Sequence, residues 1–478
     1  MQIIKNFLYN LSYQILVLIL PLITVPYISN VLGAKGVGDY AFTFANTQYF
    51  VLFGMVGITL YGNRQIAYVR DDKEELKNSF YSIYFVQVLT MTISIILFII
   101  FAFSFNKGLY RMLYLVQGVN ILASLVDISW LFMGLEQFKK TVVRNTIVKL
   151  LSLACIFIFV KDSKDLVVYT LILALANFLG NLTFWLYIPK MFGFKNIKIN
   201  RISKHLKSSL ALFIPQIAIQ VYILLSRTLL GVFTDTVQVG YYENSQKLVN
   251  MALTVATAIG TVMMPKISNT VASGDMKKVK YYISNSFFFM SAISIPLTLG
   301  LLGVAKELSP WFFGKEFIGI EKLIIISSII ILAISWSNVL GTQLLVPLNR
   351  IKEFTSSVTL GAIVNFLLNL VLLKSMGSIG ACITTVIAEL TVTVTQFYFL
   401  RKFLNITELI KSVLLFFPAG ILMLIVVRVI GVSMEAKILT TIIQVIIGGL
   451  TYLISIFILY KVVYKQNIIN YIKKMIKE

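Results

Sequence analysis

The sequence predicts an all-α membrane protein with about fourteen transmembrane helices. Of 478 residues, 58% are hydrophobic and only 13% are charged, whereas soluble domains carry about 25% charged residues. The apolar runs are long and continuous rather than alternating. In lipid, only helices and closed barrels satisfy every backbone polar group, and barrel strands need alternation, so the runs indicate helices.

Each predicted helix is an apolar run near the roughly 20 residues that cross a hydrocarbon layer of about 30 Å. The runs lie near 10–31, 41–62, 80–104, 110–134, 143–160, 166–188, 209–232, 240–263, 283–306, 321–346, 354–373, 378–400, 412–432 and 437–460. The first run is too long for the apolar part of a cleaved signal peptide, so we expect it to remain as the first helix.

The basic residues predict the orientation. With the N-terminus in the cytoplasm, the cytoplasmic segments hold 28 Lys and Arg and the outer loops hold 8. This asymmetry continues along the whole chain and predicts a bacterial inner-membrane protein with both termini in the cytoplasm. The net charge of +22 therefore indicates topology and contact with anionic membrane lipids, and no nucleic-acid partner is expected.

Several classes of chemistry are excluded by composition. His205 is the only histidine, and Cys155 and Cys382 both lie in apolar runs. A histidine metal site, a Ser-His-Asp triad and a disulfide framework are therefore not expected, and neither is a cofactor. The outer loops are short and contain no cluster of carboxylates, so a membrane-embedded polymerase or glycosyltransferase is not favoured and no enzyme activity is expected.

A weak internal repeat predicts the domain organisation. Val37-Gly38-Asp39-Tyr40 and Val239-Gly240-Tyr241-Tyr242 lie 202 residues apart, on either side of a basic stretch. We predict an N-lobe of helices 1–6 (1–190), a basic cytoplasmic linker (191–208), a C-lobe of helices 7–12 (209–402), and helices 13 and 14 with a basic tail (403–478). Two parallel lobes suggest a substrate path between them.

Several motifs together resemble Wzx-type oligosaccharide-lipid flippases. The motifs are Pro26–Gly33, Gly36–Tyr40, Tyr61–Ala67 followed by Arg70-Asp71-Asp72, Phe213–Gln216, Val239–Tyr242 and Met264–Lys266. The resemblance covers most of residues 1–270. The sequence departs from it at Asn30, where relatives often have arginine, and at Ser226-Arg227, where many have an Asp-Lys pair.

The resemblance implies both a fold and a function. The fold is the MATE-like arrangement shared by multidrug and toxin extrusion exporters and lipid II flippases. The implied function is movement of undecaprenyl-pyrophosphate-linked oligosaccharide repeat units to the outer face by alternating access. Such a substrate implies polysaccharide polymerase and glycosyltransferases as partners.

Charges within the predicted spans are candidate site residues, because each costs about 2.5–3.5 kcal/mol to insert at the centre of a helix. Arg227 on helix 7 and Lys247 on helix 8 lie at similar depth. Glu243 lies one turn from Lys247. We expect Arg227 and Lys247 to bind a pyrophosphate headgroup. The alternative is a Glu243–Lys247 ion pair with Arg227 extending to the outer interface.

Five further residues complete the candidate set. Arg64 and Asp71 follow helix 2, where Arg64 could bind the headgroup and Asp71 could form part of a gate; a solvated charge cluster is the alternative. Asp127 and Lys149 could form a buried ion pair, and Asp127 could also couple transport to an ion. Glu389, in the middle of helix 12, is a candidate carrier for proton or sodium coupling, the alternative being hydrogen bonds to nearby threonines.

Two other transport functions stay open at this level. A MATE-like antiporter of small molecules or cations would need an acidic cavity, whereas a pyrophosphate needs a basic one. A flippase for lipid II or a teichoic-acid precursor is the other alternative. Lipid II flippases carry several arginines in the first two helices, and here those helices contain none before Arg64.

Overall fold

The computed structural model describes residues 2–192 and 202–464, and its regular secondary structure in those ranges is entirely helical. The α-helices are α1 Gln2–Met55, α2 Ile58–Val69, α3 Lys73–Ser104, α4 Gly108–Leu125, α5 Ser129–Gly134, α6 Phe138–Phe159, α7 Leu166–Trp185, α8 Ile188–Phe192, α9 Ile202–Phe233, α10 Thr236–Ala272, α11 Met276–Phe313, α12 Ile320–Ser337, α13 Ile351–Leu400, α14 Ile406–Val413, α15 Phe416–Ser433 and α16 Ile438–Tyr464. Two short 3₁₀ helices, Ser163–Asp165 and Lys315–Phe317, and a π-helix, Asn338–Leu345, complete the elements.

Within the described ranges, the helices are long and apolar enough for fourteen passes through a bilayer. Ten segments are long and apolar enough to cross, and the bent α10 is an eleventh. Two of the ten, Leu18–Val69 with 52 residues and Ile351–Leu400 with 50 residues, are each about 75 Å long and must cross twice. The 32 residues of α9 supply the remaining pass, so the predicted all-α fold with about fourteen spans is confirmed.

Glycine makes both double passes possible. Gly33 in α1 and Gly377 in α13 have φ of 66° and 53°, a backbone region that favours glycine. At the second kink, the side-chain oxygen of Gln238 accepts hydrogen bonds from the Ser378 amide at 3.0 Å and from its hydroxyl at 2.6 Å. A Cβ on Gly377 would lie 2.8 Å from that same oxygen, so close approach and backbone conformation both require glycine.

The chain forms two compact units, Met1–Gly231 and Val232–Glu478. In unit 1, α9 packs along the earlier helices. The Ser209 hydroxyl donates to the Val56 carbonyl at 2.5 Å, and Gly57 and Gly231 leave no room for a Cβ against Phe213 and Phe42 respectively. The lobe boundary at residue 190 stays a prediction. Residues 193–201 of the predicted linker and 465–478 of the predicted tail lie outside the described residues.

Unit 1 has an aromatic core around the short helix α5. Phe80, Trp130, Phe132 and Phe184 are almost fully buried there. Gly62 lies against the Trp130 ring, and a Cβ at this position would lie 2.6 Å from it. This contact requires a small residue in α2, which explains Gly62, the glycine of the Tyr61–Ala67 motif.

Neutral hydrogen bonds hold the interior of unit 2. The Gln246 amide donates to Ser327 at 3.0 Å, and Tyr242 and Thr385 are 3.0 Å apart through their hydroxyls. These bonds link α10 to α12 and α13. Bonds of this kind between membrane helices contribute about 0.6 kcal/mol each, so they favour one arrangement of the helices without fixing it rigidly.

Candidate functional site

Arg227 lies in unit 1, on the last two turns of α9. Its Nη1 donates to the Ile223 carbonyl at 3.0 Å. The side chain therefore turns back towards the start of α9, away from the nearer helix end at Phe233. The alternative interpretation, in which Arg227 extends to the outer interface, stays a prediction.

The surroundings of Arg227 are polar. The adjacent Thr228 hydroxyl donates to Asn46 Oδ1 at 2.8 Å, and Asn46 Nδ2 donates to the Tyr114 hydroxyl at 2.8 Å. Tyr49, one turn after Asn46 on α1, has a buried hydroxyl. Thr228 and Arg227 both interact with this hydroxyl. A guanidinium and a tyrosine hydroxyl therefore lie close together within the span.

Lys247 and Glu243 form an ion pair in unit 2, with Nζ 3.5 Å from Oε1 and 29% and 13% of the side chains exposed. This spacing is the helical i, i+4 arrangement predicted from the sequence. The ion pair leaves Lys247 partly accessible while balancing the charge of Glu243.

Arg64 and Asp71 lie at the end of α2, and both are exposed. Arg64 donates to the Tyr68 hydroxyl at 3.3 Å and lies over its ring. The adjacent Arg70 forms a 2.8 Å ion pair with Glu136, and this hydrogen bond raises the pKa of the Arg70 guanidinium. The structure therefore joins the end of α2 to the turn between α5 and α6.

Asp127 lies at a break in the fourth predicted span. Its carboxylate accepts the Ser129 amide at 2.8 Å and so caps the start of α5. Arg144 on α6 acts electrostatically on Asp127 and stacks 4.4 Å from the Phe184 ring. Lys149 is half-buried, further along α6. An Asp127–Lys149 ion pair stays a prediction.

The break itself was not predicted, because residues 110–134 look like one continuous run. Its carbonyls are satisfied by side chains from other helices. Gln87 Nε2 lies 2.9–3.2 Å from three of these carbonyl oxygens, those of Ser124, Leu125 and Asp127. Asn181 donates to the Ala123 carbonyl at 2.8 Å, and Trp185 donates to the Val126 carbonyl at the same distance. A helix break at membrane depth is tolerated when protein groups supply such bonds.

Glu389 lies on α13 and is half-buried. Its backbone carbonyl accepts the Thr393 hydroxyl at 2.9 Å. This contact involves the backbone and not the carboxylate, so a role of the Glu389 carboxylate in ion coupling stays a prediction.

Sequence reasoning missed a buried ion pair in unit 2. Arg428 on α15 lies 3.0 Å from Glu307 on α11, and Gln444 on α16 donates to the same carboxylate at 3.1 Å. The sequence contains the signal, since Arg428 interrupts an apolar run. Its partner lies 121 residues away, which no local pattern indicates.

Two tyrosines are more buried than an interfacial position predicts. A tyrosine near the end of an apolar run is typical of a membrane interface, but Tyr61 is buried and its hydroxyl lies 2.7 Å from Nδ1 of His205. Tyr49 has a similar position in its run, and its hydroxyl is also buried.

Within the described ranges, no group of three His, Cys, Asp or Glu could hold a metal ion.

Comparison with known sequences assigns the family. Residues 3–271, more than half of the chain, match the family of polysaccharide biosynthesis proteins. The chain belongs to this family. The match covers the region in which the motifs resemble Wzx-type flippases, so that resemblance is confirmed.

One relative and two solved structures extend the comparison. A putative O-antigen transporter from Escherichia coli K12 is 25% identical over 403 residues, covering 83% of this chain and 96% of the relative. The lipid II flippase MurJ in an inward closed conformation matches with a TM-score of 0.79 at 18% identity, over 96% of this chain and 99% of that structure. An inward-facing MATE family transporter matches with a TM-score of 0.55 at 14% identity, over 82% and 99%. The MATE-like fold is thereby confirmed.

Proposed function

We propose that this multi-pass membrane protein is a flippase for undecaprenyl-pyrophosphate-linked oligosaccharide repeat units. It moves them by alternating access from the cytoplasmic to the outer leaflet, where they supply capsule, O-antigen or another surface polysaccharide. The match to a putative O-antigen transporter over 96% of that protein's length supports this function most directly. The bacterial inner membrane, with both termini in the cytoplasm, is the location that the basic residues favour.

The proposed headgroup site contains Arg227, with Lys247 and Arg64 as further cations along the path. The position of the Arg227 guanidinium beside the buried Tyr49 hydroxyl, in polar surroundings, supports this assignment. Arginine binds phosphate oxygens through two parallel hydrogen bonds, and a tyrosine hydroxyl can donate a third. A cation exporter would instead need free acidic groups, and the charge of Glu243 is balanced by Lys247.

Depletion of the protein in its source cells tests the function. We expect lipid-linked repeat units to accumulate on the cytoplasmic leaflet, with no polymer outside. Sealed vesicles of both orientations, treated with a membrane-impermeant glycosidase, report the leaflet. Units that reach the outer leaflet at the normal rate in depleted cells would exclude the proposal.

Expression of variants in the depleted cells tests the proposed headgroup site. Arg227→Ala should reduce transport about tenfold or more, because a hydrogen bond to a charged group contributes about 1.5–3 kcal/mol. Arg227→Lys should retain part of the activity, since it keeps the charge but loses the two-point geometry. Arg111→Ala is the matched control, because Arg111 is an α4 arginine that donates to the Asn106 carbonyl. Equal transport by the Arg227→Ala and Arg111→Ala proteins would argue against the site.

We further propose that transport is coupled to a proton or sodium gradient through Glu389. A carboxylate within a span can alternate between a charged and a neutral or ion-bound form. Glu389→Gln should therefore abolish the response of transport to an imposed gradient. Glu408→Gln, at an exposed position on α14, should leave the response intact. A gradient response that persists in the Glu389→Gln protein would remove this role.

A further inference from the structure

A cleft lies in unit 2 where α11 and α15 end. It has a volume of about 570 Å³ and is lined by the last two turns of α11, the loop that follows it, the start of α12 and four residues near the end of α15, namely Gly431, Val432, Met434 and Ala436. The loops at this end follow directly after the apolar spans Met276–Phe313 and Ile406–Ser433, so we infer that the cleft lies at the depth of lipid headgroups. The Tyr241 hydroxyl orders the loop by donating to the carbonyls of Glu316 and Ile318 at 2.8 and 3.0 Å.

The floor of the cleft contains Glu307. Its carboxylate is already neutralised by Arg428 and hydrogen-bonded by Gln444. The floor therefore contributes shape and little net charge.

Three charged side chains remain in the lining: Lys306, Lys315 and Glu321. None of them forms an ion pair or a side-chain hydrogen bond with another residue in the described part of the chain. The cleft thus offers two cations and one anion. A ligand with a phosphate and an amine would complement these charges: the lysines would bind the phosphate, and Glu321 would accept hydrogen bonds from the amine.

The rim of the cleft is apolar and exposed. The exposed fractions of Ile318 and Val432 are 83% and 79%, and both residues line the cleft. In a membrane protein such residues contact acyl chains, so a ligand whose polar head enters the charged cleft could place an apolar body beside them.

We propose that this cleft binds a phospholipid with a zwitterionic, amine-bearing headgroup, namely phosphatidylethanolamine. The phosphate contacts Lys306 and Lys315, the ammonium contacts Glu321, and the acyl chains lie along Ile318 and Val432. This lipid is a bound partner of the protein and not its transported substrate. The site is therefore independent of the flippase proposal.

Lipid binding to the purified full-length protein tests the site. Delipidated protein is titrated with phosphatidylethanolamine, phosphatidylcholine or phosphatidylglycerol, and bound lipid is measured by native mass spectrometry and by the rise in Tm. We expect phosphatidylethanolamine to bind the wild-type protein most tightly, because phosphatidylcholine has no N–H donor for Glu321 and phosphatidylglycerol has no cation.

Two variants separate the contacts. Lys306→Ala with Lys315→Ala should weaken binding of both phosphatidylethanolamine and phosphatidylglycerol about tenfold or more, since each loses charge-assisted hydrogen bonds. Glu321→Gln should reduce phosphatidylethanolamine binding to the level of phosphatidylcholine and leave phosphatidylglycerol binding undiminished. All three side chains line the cleft without partners, so the lipid-free Tm should not change.

The matched control is Glu435→Gln with Lys437→Ala. This exposed ion pair lies at the same end of the unit, and neither residue lines the cleft. The control should bind all three lipids as the wild-type protein does. Equal binding of phosphatidylethanolamine and phosphatidylcholine by the wild-type protein would overturn the proposal, as would equal losses in the control and the cleft variants.

Discussion

Replacement of Glu307 by alanine should lower the free energy of unfolding by about 3 kcal/mol, because it leaves Arg428 uncompensated between three helices. Glu307 is 5% exposed and Arg428 is 32% exposed, so the expected loss lies at the lower end of the range for buried ion pairs. Thermal or denaturant unfolding in a mild detergent measures the effect.

The double variant Glu307→Met with Arg428→Met distinguishes an ion-pair effect from a packing effect. It removes both charges and should recover much of the stability lost in Glu307→Ala. Glu435→Ala breaks an exposed ion pair and should stay within about 0.5 kcal/mol of the wild-type protein. If Glu307→Ala were as mild as Glu435→Ala, the ion pair would have no structural role.

The same ion pair changes the interpretation of the last two spans. The sequence suggested that helices 13 and 14 are an addition to the C-lobe. In unit 2, α15 and α16 are bound to α11 by the Arg428 ion pair, by Gln444, and by the Tyr452 hydroxyl, which donates to the Ala292 carbonyl at 2.8 Å. We therefore expect α11, α15 and α16 to move together during transport.

Replacement of Gln87 by leucine should have the second large effect on stability, about 3 kcal/mol or more. The change leaves carbonyls at the break between α4 and α5 without a donor, and it removes the acceptor of the Trp130 indole N–H at 3.1 Å. Gln87 is fully buried, so water cannot replace it, and each unsatisfied group costs about 1–3 kcal/mol. Detergent unfolding curves again measure the loss.

Gln246→Leu is the matched control for Gln87→Leu. Gln246 is also a buried glutamine on a spanning helix, but its amide donates to a side-chain hydroxyl, that of Ser327, and not to the carbonyls of a helix break. Its loss should be about 0.6 kcal/mol. If the two substitutions destabilised the protein equally, the helix break would not depend on Gln87.

The difference between the predicted and observed fourth span has a physical cause. Apolar periodicity reports the average surroundings of a run and cannot show where a helix stops when other helices cap it. Here Gln87, Asn181 and Trp185 supply the caps, and they come from distant positions in the chain. Asp127 accepts a hydrogen bond from the Ser129 amide at the start of α5, and its ion pair with Lys149 stays a prediction.

The candidate site residues could be selected from the sequence, but their geometry could not be predicted. Arg227 and the Glu243–Lys247 pair could be identified because a charge in an apolar run is costly. The direction of Arg227 towards Ile223 and its proximity to Tyr49 could not. Both depend on how α9 packs against α1. Tyr49 carried no signal, since a tyrosine near the end of a run is typical of a membrane interface.

The sequence by itself determined that the protein lies in a lipid bilayer and which fold class it has: it spans the membrane as about fourteen helices. These properties depend on the length of apolar runs, which is local information. The tertiary structure alone decided which charges meet and where helices break. In a bilayer those properties depend on side chains that satisfy one another across helices far apart in the chain, as Arg428 and Glu307 do.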